Sequence, residues 1–70
     1  MVIKNNIRKL RFNANEMTQA TLAELTGVSR QTILAVEAGK YTPSLDLAFR
    51  IAASLNTKIE EVFVPEIDIK

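Results

Sequence analysis

The sequence predicts one small all-α domain of five short helices over residues 1–70, with the two chain ends as candidates for a two-stranded antiparallel ribbon. Two observations predict the helices. Apolar residues recur at intervals of three and four along most of the chain, which is the period of a helix with one buried face. Helix-breaking residues interrupt this period at Gly27, Gly39, Pro43 and Pro65, and Ser or Thr stands at several of the expected helix starts.

Local start and stop signals delimit the first three helices. The segment NNIRKLRFNA, residues 5–14, has apolar positions three and four apart. MTQATLAELTG begins at the N-cap candidate Thr18 and stops at Gly27, a residue suited to the left-handed position after a helix. SRQTILAVEAG repeats this arrangement, with Ser29 as the cap and Gly39 as the stop.

The fourth and fifth helices follow from similar signals. PSLDLAFRIAASLN has Ser44 before its start, Asp46 in its first turn, where the helix dipole favours an anion, and Asn56 at its end. TKIEEVF fits a capping box that pairs Thr57 with Glu60. The chain ends MVIK and EIDIK are short and β-branched, which suits either a ribbon joining the termini or frayed tails.

The composition excludes several kinds of chemistry. The 70 residues include no Cys and no His, which removes disulfides, Cys/His zinc sites, thiol nucleophiles and imidazole acid–base catalysis. No group of Asp and Glu residues has a loop pattern suited to a metal. We therefore expect no cofactor, no metal and no enzyme activity. A chain this short buries only about 60% of its unfolded surface, so a second subunit is the remaining source of stability.

The charges are nearly balanced overall but unevenly distributed. Nine Lys and Arg oppose eight Asp and Glu, which gives a formal net charge of +1. Residues 1–40 hold six basic and three acidic side chains, whereas residues 41–70 hold three basic and five acidic ones. This asymmetry fits either chance variation or a basic half that meets a polyanion. The apolar runs are too short for a signal peptide or a membrane helix, so we expect a cytoplasmic protein with no membrane partner.

Residues 18–38 meet several requirements of two short helices that cross at a steep angle after a tight turn. Ala23 stands where the first helix would touch the second, and a larger side chain would hold them apart. Gly27 can take the left-handed conformation that reverses the chain. A small core beneath the turn is expected from Leu22, Val28, Ile33 and Val36. Because all these positions must agree at once, the signal is specific.

The outward side of the second of these helices has an unusual composition. A projection at about 100° per residue places Gln31, Ala35 and Ala38 opposite Ile33, with Arg30 to one side. A solvated face would usually carry Glu and Lys, whereas small side chains let a helix backbone approach its partner closely. Arg and Gln bond bidentately to guanine and adenine edges in the major groove, and Ala can meet a thymine methyl group. The pattern therefore predicts base readout by a helix N-terminus.

The segment MTQATLAELTGVSRQTILAVEAGKYTPSLDLAFRIAASLNTKIEEVF resembles the helix-turn-helix domain of the Cro/C1-type (xenobiotic-response-element) transcriptional regulators. The resemblance covers residues 3–64 and is closest to the small stand-alone members. It implies five helices, of which the second spans Thr18–Thr26 and the third, the recognition helix, spans Ser29–Ala38. In such members a two-stranded sheet from both termini helps to form a homodimer.

The resemblance also implies roles for individual residues. DNA base readout is implied for Arg30, Gln31, Thr32 and Ala35. Contacts with the DNA backbone, or anchoring of the helix starts, are expected from Thr18, Gln19, Ser29, Lys40 and Tyr41. Arg11 and Glu37 match a structural ion pair between the first and third helices, and Glu37 projects toward the core side, where a charge needs a partner.

The chain departs from the family pattern at three places. It has one residue more than many members between Arg11 and Gln19. Leu34 occupies a position where polar or small residues are more usual, and it suits either a contact with a base methyl group or partly buried packing. We expect packing because single exposed Leu residues are common. The tail VPEIDIK does not match the family closely.

These observations predict a homodimeric, sequence-specific regulator of double-stranded DNA, most simply a repressor with an inverted-repeat operator. The apolar surface of the fifth helix and the segment after it predict a dimer interface that comprises Ile59, Val62, Phe63 and Val64. Two alternatives stay open: a DNA-binding antitoxin of a two-gene module, and a protein-interaction module that keeps the helix-turn-helix fold. Binding that weakens steeply with salt would favour DNA, because each phosphate contact releases counterions.

Overall fold

The computed structural model describes residues 2–66 and confirms five helices with a two-stranded antiparallel sheet formed by the two ends of the chain. In chain order the elements are β1 (Val2–Asn5), α1 (Ile7–Asn13), α2 (Gln19–Thr26), α3 (Arg30–Glu37), α4 (Leu45–Ser54), α5 (Ile59–Val62) and β2 (Phe63–Glu66). Within residues 2–66, no helix is both long and apolar enough to cross a membrane.

Side-chain caps start the three central helices where the sequence places them. The hydroxyl groups of Thr18, Ser29 and Ser44 each accept a hydrogen bond from the backbone N–H three residues later, at 3.0 to 3.1 Å. Each such cap satisfies a donor that has no partner inside the helix, which contributes about 1 kcal/mol. Gly27 ends α2 with φ of 75°, the left-handed conformation expected for it.

The fifth helix differs from its prediction at both ends. Its N-cap is Lys58, with no side-chain hydrogen bond to the helix start, and the hydroxyl of Thr57 donates to the carboxylate of Glu61. The predicted capping box with Glu60 is therefore wrong, because the helix begins one residue too late for Thr57 to cap it. Phe63, expected at the end of this helix, is extended and begins β2.

The connection between α1 and α2 absorbs the extra residue without opening the turn. Asn15 and Glu16 both adopt left-handed conformations, with φ of 59° and 56°. Left-handed conformations cost roughly 1–2 kcal/mol for residues other than Gly, and Asn tolerates them best. The Arg11 guanidinium closes the loop by donating from Nη1 to the carbonyl of Met17 at 2.8 Å.

One hydrophobic core joins all five helices. Its buried members are Ile7, Leu22, Ala23, Ile33, Val36, Leu47, Ile51, Ala52, Leu55 and Val62. Val62 has no exposed surface, so its assignment to the dimer interface is wrong. The physical reason is the position of Val62 at the inner side of α5, a helix of four residues, where it closes the core. Ile59 packs against the core from the same helix but stays partly exposed.

The terminal ribbon pairs Val2 with Glu66 and Asn5 with Phe63 at its two ends. β2 thus begins at Phe63, before EIDIK. Of that predicted segment only Glu66 lies within the described part, because residues 67–70 lie outside it. On one face of the ribbon, Lys4 Nζ lies 2.7 Å from Glu66 Oε1. This hydrogen bond, with the attraction of the carboxylate, raises the pKa of Lys4 above its ordinary value of 10.5.

Two adjacent asparagines attach the ribbon to the helices. The amide of Asn5 donates to the carbonyl groups of Val36 and Glu37 at 3.1 and 3.3 Å, at the C-terminal end of α3. The amide of Asn6 donates to the carbonyl of Glu61 at 3.1 Å, and its backbone N–H donates to that of Val62 at 2.9 Å. The ribbon therefore holds the far end of α3 through side-chain hydrogen bonds.

Candidate nucleic-acid interface

Helices α2 and α3 pack around the tight turn that begins at Gly27. Ala23 is only 4% exposed, which is consistent with the close contact expected at this position. The backbone N–H of Val28 donates to the carbonyl of Ala23 at 3.1 Å and closes the turn. Arg50, on α4, donates from Nη1 to the carbonyl of Thr26 at 3.3 Å. The angle between the two helices is thus held by small side chains, by the turn and by a cation from a third helix.

The outward side of α3 agrees with the projection from the sequence. Arg30, Gln31 and Ala38 are exposed and Ala35 is half-buried, while Ile33 beneath them has no exposed surface. Within residues 2–66, neither the guanidinium of Arg30 nor the amide of Gln31 makes a hydrogen bond. Both groups therefore keep their full bonding capacity at the N-terminal turn of α3, as base readout requires.

Thr32 is half-buried and makes a local bond. Its hydroxyl lies 2.9 Å from that of Ser29, whose oxygen also accepts the Thr32 N–H at 3.1 Å. The same arrangement starts α2, where the Thr18 hydroxyl donates to that of Thr21 at 3.0 Å. Each helix thus begins with a pair of linked hydroxyl groups beside unpaired backbone N–H groups, which suits an anion such as a phosphate. Thr21 was not among the predicted residues.

Leu34 does not pack as expected. Its side chain is 48% exposed, and it is absent from the apolar residues that pack against the core. The two other large apolar residues of α3, Ile33 and Val36, are 0% and 2% exposed. Packing against the core of the protomer is therefore the wrong interpretation of Leu34, since Ile33 and Val36 are the residues of α3 that belong to this core.

The ion pair expected between Arg11 and Glu37 is present and nearly buried. The guanidinium donates from Nε to Oε2 at 2.7 Å and from Nη2 to Oε1 at 3.0 Å. The two side chains are 14% and 10% exposed. Gln19 adds a longer bond from its amide nitrogen to Glu37 Oε1 at 3.5 Å, so this network joins α1, the start of α2 and the end of α3.

The residues that were predicted to contact the DNA backbone lie around the outward side of α3. Thr18 and Ser29 are exposed at the helix starts, and Gln19 is half-buried with its amide nitrogen donating to Glu37. Lys40 and Tyr41 are exposed just after Gly39, which ends α3 with φ of 75°. Contact of these residues with DNA stays a prediction. Among residues 2–66, no three Asp or Glu side chains group closely enough to hold a metal ion.

The predicted dimer residues separate into three environments. Val62 is buried, whereas Ile59 and Phe63 are half-buried and line an open groove of about 350 Å³. Tyr41, in the α3–α4 connection, and Leu45, the first residue of α4, line the same groove. Val64 is 42% exposed on the opposite face of the ribbon from Phe63, since successive residues of a strand point to opposite faces.

Two groups that position the site were missed at the sequence level. Arg50 holds the turn between α2 and α3, and Asn5 holds the end of α3. The Asn5–Asn6 pair directly before a predicted helix was a usable signal, because Asn side chains often bond to backbone groups near helix ends. Nothing in the local sequence distinguishes Arg50 from a solvated Arg paired with Asp46, with which it also forms an ion pair at 2.9 Å.

Known proteins are similar to this chain in sequence and in structure. The sequence model of a family described as helix-turn-helix matches residues 7–62. An uncharacterized HTH-type transcriptional regulator from Methanocaldococcus jannaschii is 52% identical over 66 residues, which cover 94% of this chain and 98% of that protein. Another from Archaeoglobus fulgidus is 47% identical over 62 residues, or 89% of this chain and 86% of that protein.

A solved structure resembles the fold as well. The restriction-modification controller protein C.AhdI from Aeromonas hydrophila matches with a TM-score of 0.71 and 34% identity, over 79% of this chain and 82% of that one. The match of the family model over most of the chain, the related regulators and the geometry of α2 and α3 agree. The chain belongs to the helix-turn-helix family of Cro/C1-type, DNA-binding transcriptional regulators.

Proposed function

We propose that the protein is a homodimeric, sequence-specific repressor that inserts the first turn of α3 into the major groove of an inverted-repeat operator. One observation carries this proposal: among residues 2–66, Arg30 and Gln31 form no side-chain hydrogen bond and are exposed on a capped helix whose outward side, Leu34 apart, is otherwise small. These two side chains can bond bidentately to guanine and adenine edges. The half-buried Ala35 and the exposed Ala38 add little bulk, so the helix backbone can approach the bases.

Contacts with phosphate would fix the register of α3. The start of α2 offers backbone N–H groups, the linked hydroxyls of Thr18 and Thr21, and the second N–H of the Gln19 amide. Ser29 provides a similar start to α3, and Lys40 supplies a cation just beyond its end. Such contacts carry no sequence information but hold the protein on any duplex.

The dimer proposal is supported by apolar surface that one protomer leaves open. The groove beside Ile59 and Phe63 is also lined by Ile3 and Leu45, which are 43% and 70% exposed. A two-stranded ribbon is marginally stable by itself, and its outer edges invite pairing with another strand. A second copy would cover the groove and place two α3 helices about one DNA turn (~34 Å) apart. Occupying such a site in cytoplasmic DNA would block transcription, which is why we propose repression.

Selection of binding sites from random duplex DNA tests this proposal directly. We expect enrichment of an inverted repeat and sedimentation as a dimer at tens of micromolar. The affinity should fall steeply with salt, since log Kd changes with log salt by about 0.9 for each phosphate contact. A monomer that binds one half-site at full affinity would refute the dimer. Binding that depends on salt but shows no sequence preference would refute the sequence-specific role, and no salt-dependent binding to any duplex would favour the protein-interaction module.

A further inference from the structure

Leu34 is the residue on the outward side of α3 that the proposed function leaves unexplained. Nearly half of its side chain is exposed (48%), although the helix buries Ile33 and Val36 almost completely. An exposed Leu elsewhere on a protein surface needs no explanation. Here, however, it is the one large apolar side chain on a surface that otherwise offers a guanidinium, an amide and methyl groups.

The position of Leu34 places it beside the two base-reading groups. It follows Arg30 by four residues and Gln31 by three, so the three side chains are neighbours on the helix surface. A long side chain in a helix points back toward the N-terminus and covers the preceding turn. The Leu34 side chain therefore extends toward the turn that carries Arg30 and Gln31. Its Cα lies about 4.5 Å further along the axis than that of Gln31, which is a little more than one base-pair step of about 3.4 Å.

The chemistry of Leu selects among the four base pairs. The one apolar group that an unmodified base pair presents in the major groove is the 5-methyl group of thymine. Against a guanine or cytosine edge, Leu would cover donors and acceptors without bonding to them, and unpaired polar groups are costly. Contact with a methyl group and avoidance of polar edges thus favour the same base.

We propose that Leu34 is a specificity-determining residue. Its side chain contacts the 5-methyl group of a thymine at the base pair next to the one read by Gln31. This inference rests on the proposed insertion of α3 into the major groove. It assigns a second kind of recognition to the helix: hydrogen bonds from its first turn, and an apolar contact from its second. It also explains why Leu stands at a position where a solvated helix would carry a charge.

Replacement of single thymines by deoxyuridine isolates the methyl group, because the base pairing is unchanged. In the selected operator, one such replacement in each half-site should weaken wild-type binding about 4-fold per half-site, or about 15-fold for the dimer. This corresponds to roughly 0.8 kcal/mol for one buried methyl group, at about 1.4 kcal/mol per tenfold. In Leu34→Ala the same replacement should have less than a 2-fold effect. An operator with 5-methylcytosine at that pair should be bound more tightly than one with cytosine and less tightly than one with thymine. This comparison separates the effect of the methyl group from the effect of the rest of the base.

Leu25→Ala is the matched control, since Leu25 is also exposed (56%) but lies near the C-terminal end of α2. It should bind as wild type does and keep the full effect of deoxyuridine. Both variants should melt as the wild type does, because neither side chain belongs to the core. If Leu34→Ala keeps the deoxyuridine effect, or if no thymine in the operator shows one, Leu34 does not read a methyl group and the proposed function still stands. If the wild type enriches no sequence at all, the proposed function fails and this inference fails with it.

Discussion

Removing the carboxylate of Glu37 should destabilise the fold through the network that joins α1, α2 and α3. Glu37→Ala deletes two charge-assisted hydrogen bonds, at 2.7 and 3.0 Å, and leaves Arg11 bonded only to the carbonyl of Met17. Losing one partner of a buried pair costs about 3–5 kcal/mol. Because Arg11 is 14% exposed, water can reach part of it, so we expect the lower end, about 3 kcal/mol. For a domain of this size that is roughly 12–24 °C in Tm.

Thermal unfolding measured by circular dichroism, together with urea titration, tests this value. Glu24→Ala removes the same side chain from an exposed position on α2 and should change Tm by no more than a few degrees. The double variant Arg11→Met, Glu37→Leu should recover much of the loss, because it leaves no buried unpaired charge. The reasoning would be refuted if Glu37→Ala melted like the Glu24 control, since Glu37 would then be solvated. DNA affinity of folded Glu37→Ala, measured well below its Tm, should fall less than its stability does.

Four further substitutions separate readout, positioning and backbone strain. Gln31→Ala should lower the binding free energy by about 1–3 kcal/mol on the selected operator and little on random DNA. Lys40→Ala should weaken binding to both duplexes and reduce the slope of log Kd against log salt by about one unit per half-site. Equal losses on all duplexes for Gln31→Ala would show that Gln31 contacts the DNA backbone. Asn5→Ala removes the donor to two carbonyl groups at the end of α3 and should lower the free energy of unfolding by about 1–3 kcal/mol, and an unchanged urea midpoint would show that the ribbon does not hold α3. Gly27→Ala should cost about 1–2 kcal/mol from its φ of 75° alone, because the nearest atom to the added Cβ is Arg50 Nη1 at 3.8 Å; a loss far above that range in calorimetry would point to a clash.

The boundaries of α2 and α3 were predictable because the forces that set them are local. A hydroxyl group at Thr18 or Ser29 acts on an N–H three residues away, and Gly27 reverses the chain by its own conformation. The same local rules misplaced the start of α5. A helix of four residues has no full apolar period, so the pattern cannot distinguish Thr57 from Lys58 as its cap.

The sequence by itself also determined the outward side of α3, since Ile33 and Val36 must face the core and helical geometry then turns Gln31 and Ala35 away from it. Only the tertiary structure decided whether residues that border the buried face of a helix are themselves buried or exposed. Leu34 is exposed and Val62 is buried because a neighbouring helix crosses at one place and not at another. The bonds from Asn5 and Arg50 span 31 and 24 residues, and no local signal encodes partners at such distances. Secondary structure here follows from interactions within one turn, whereas burial beside a helix stripe depends on how whole helices pack.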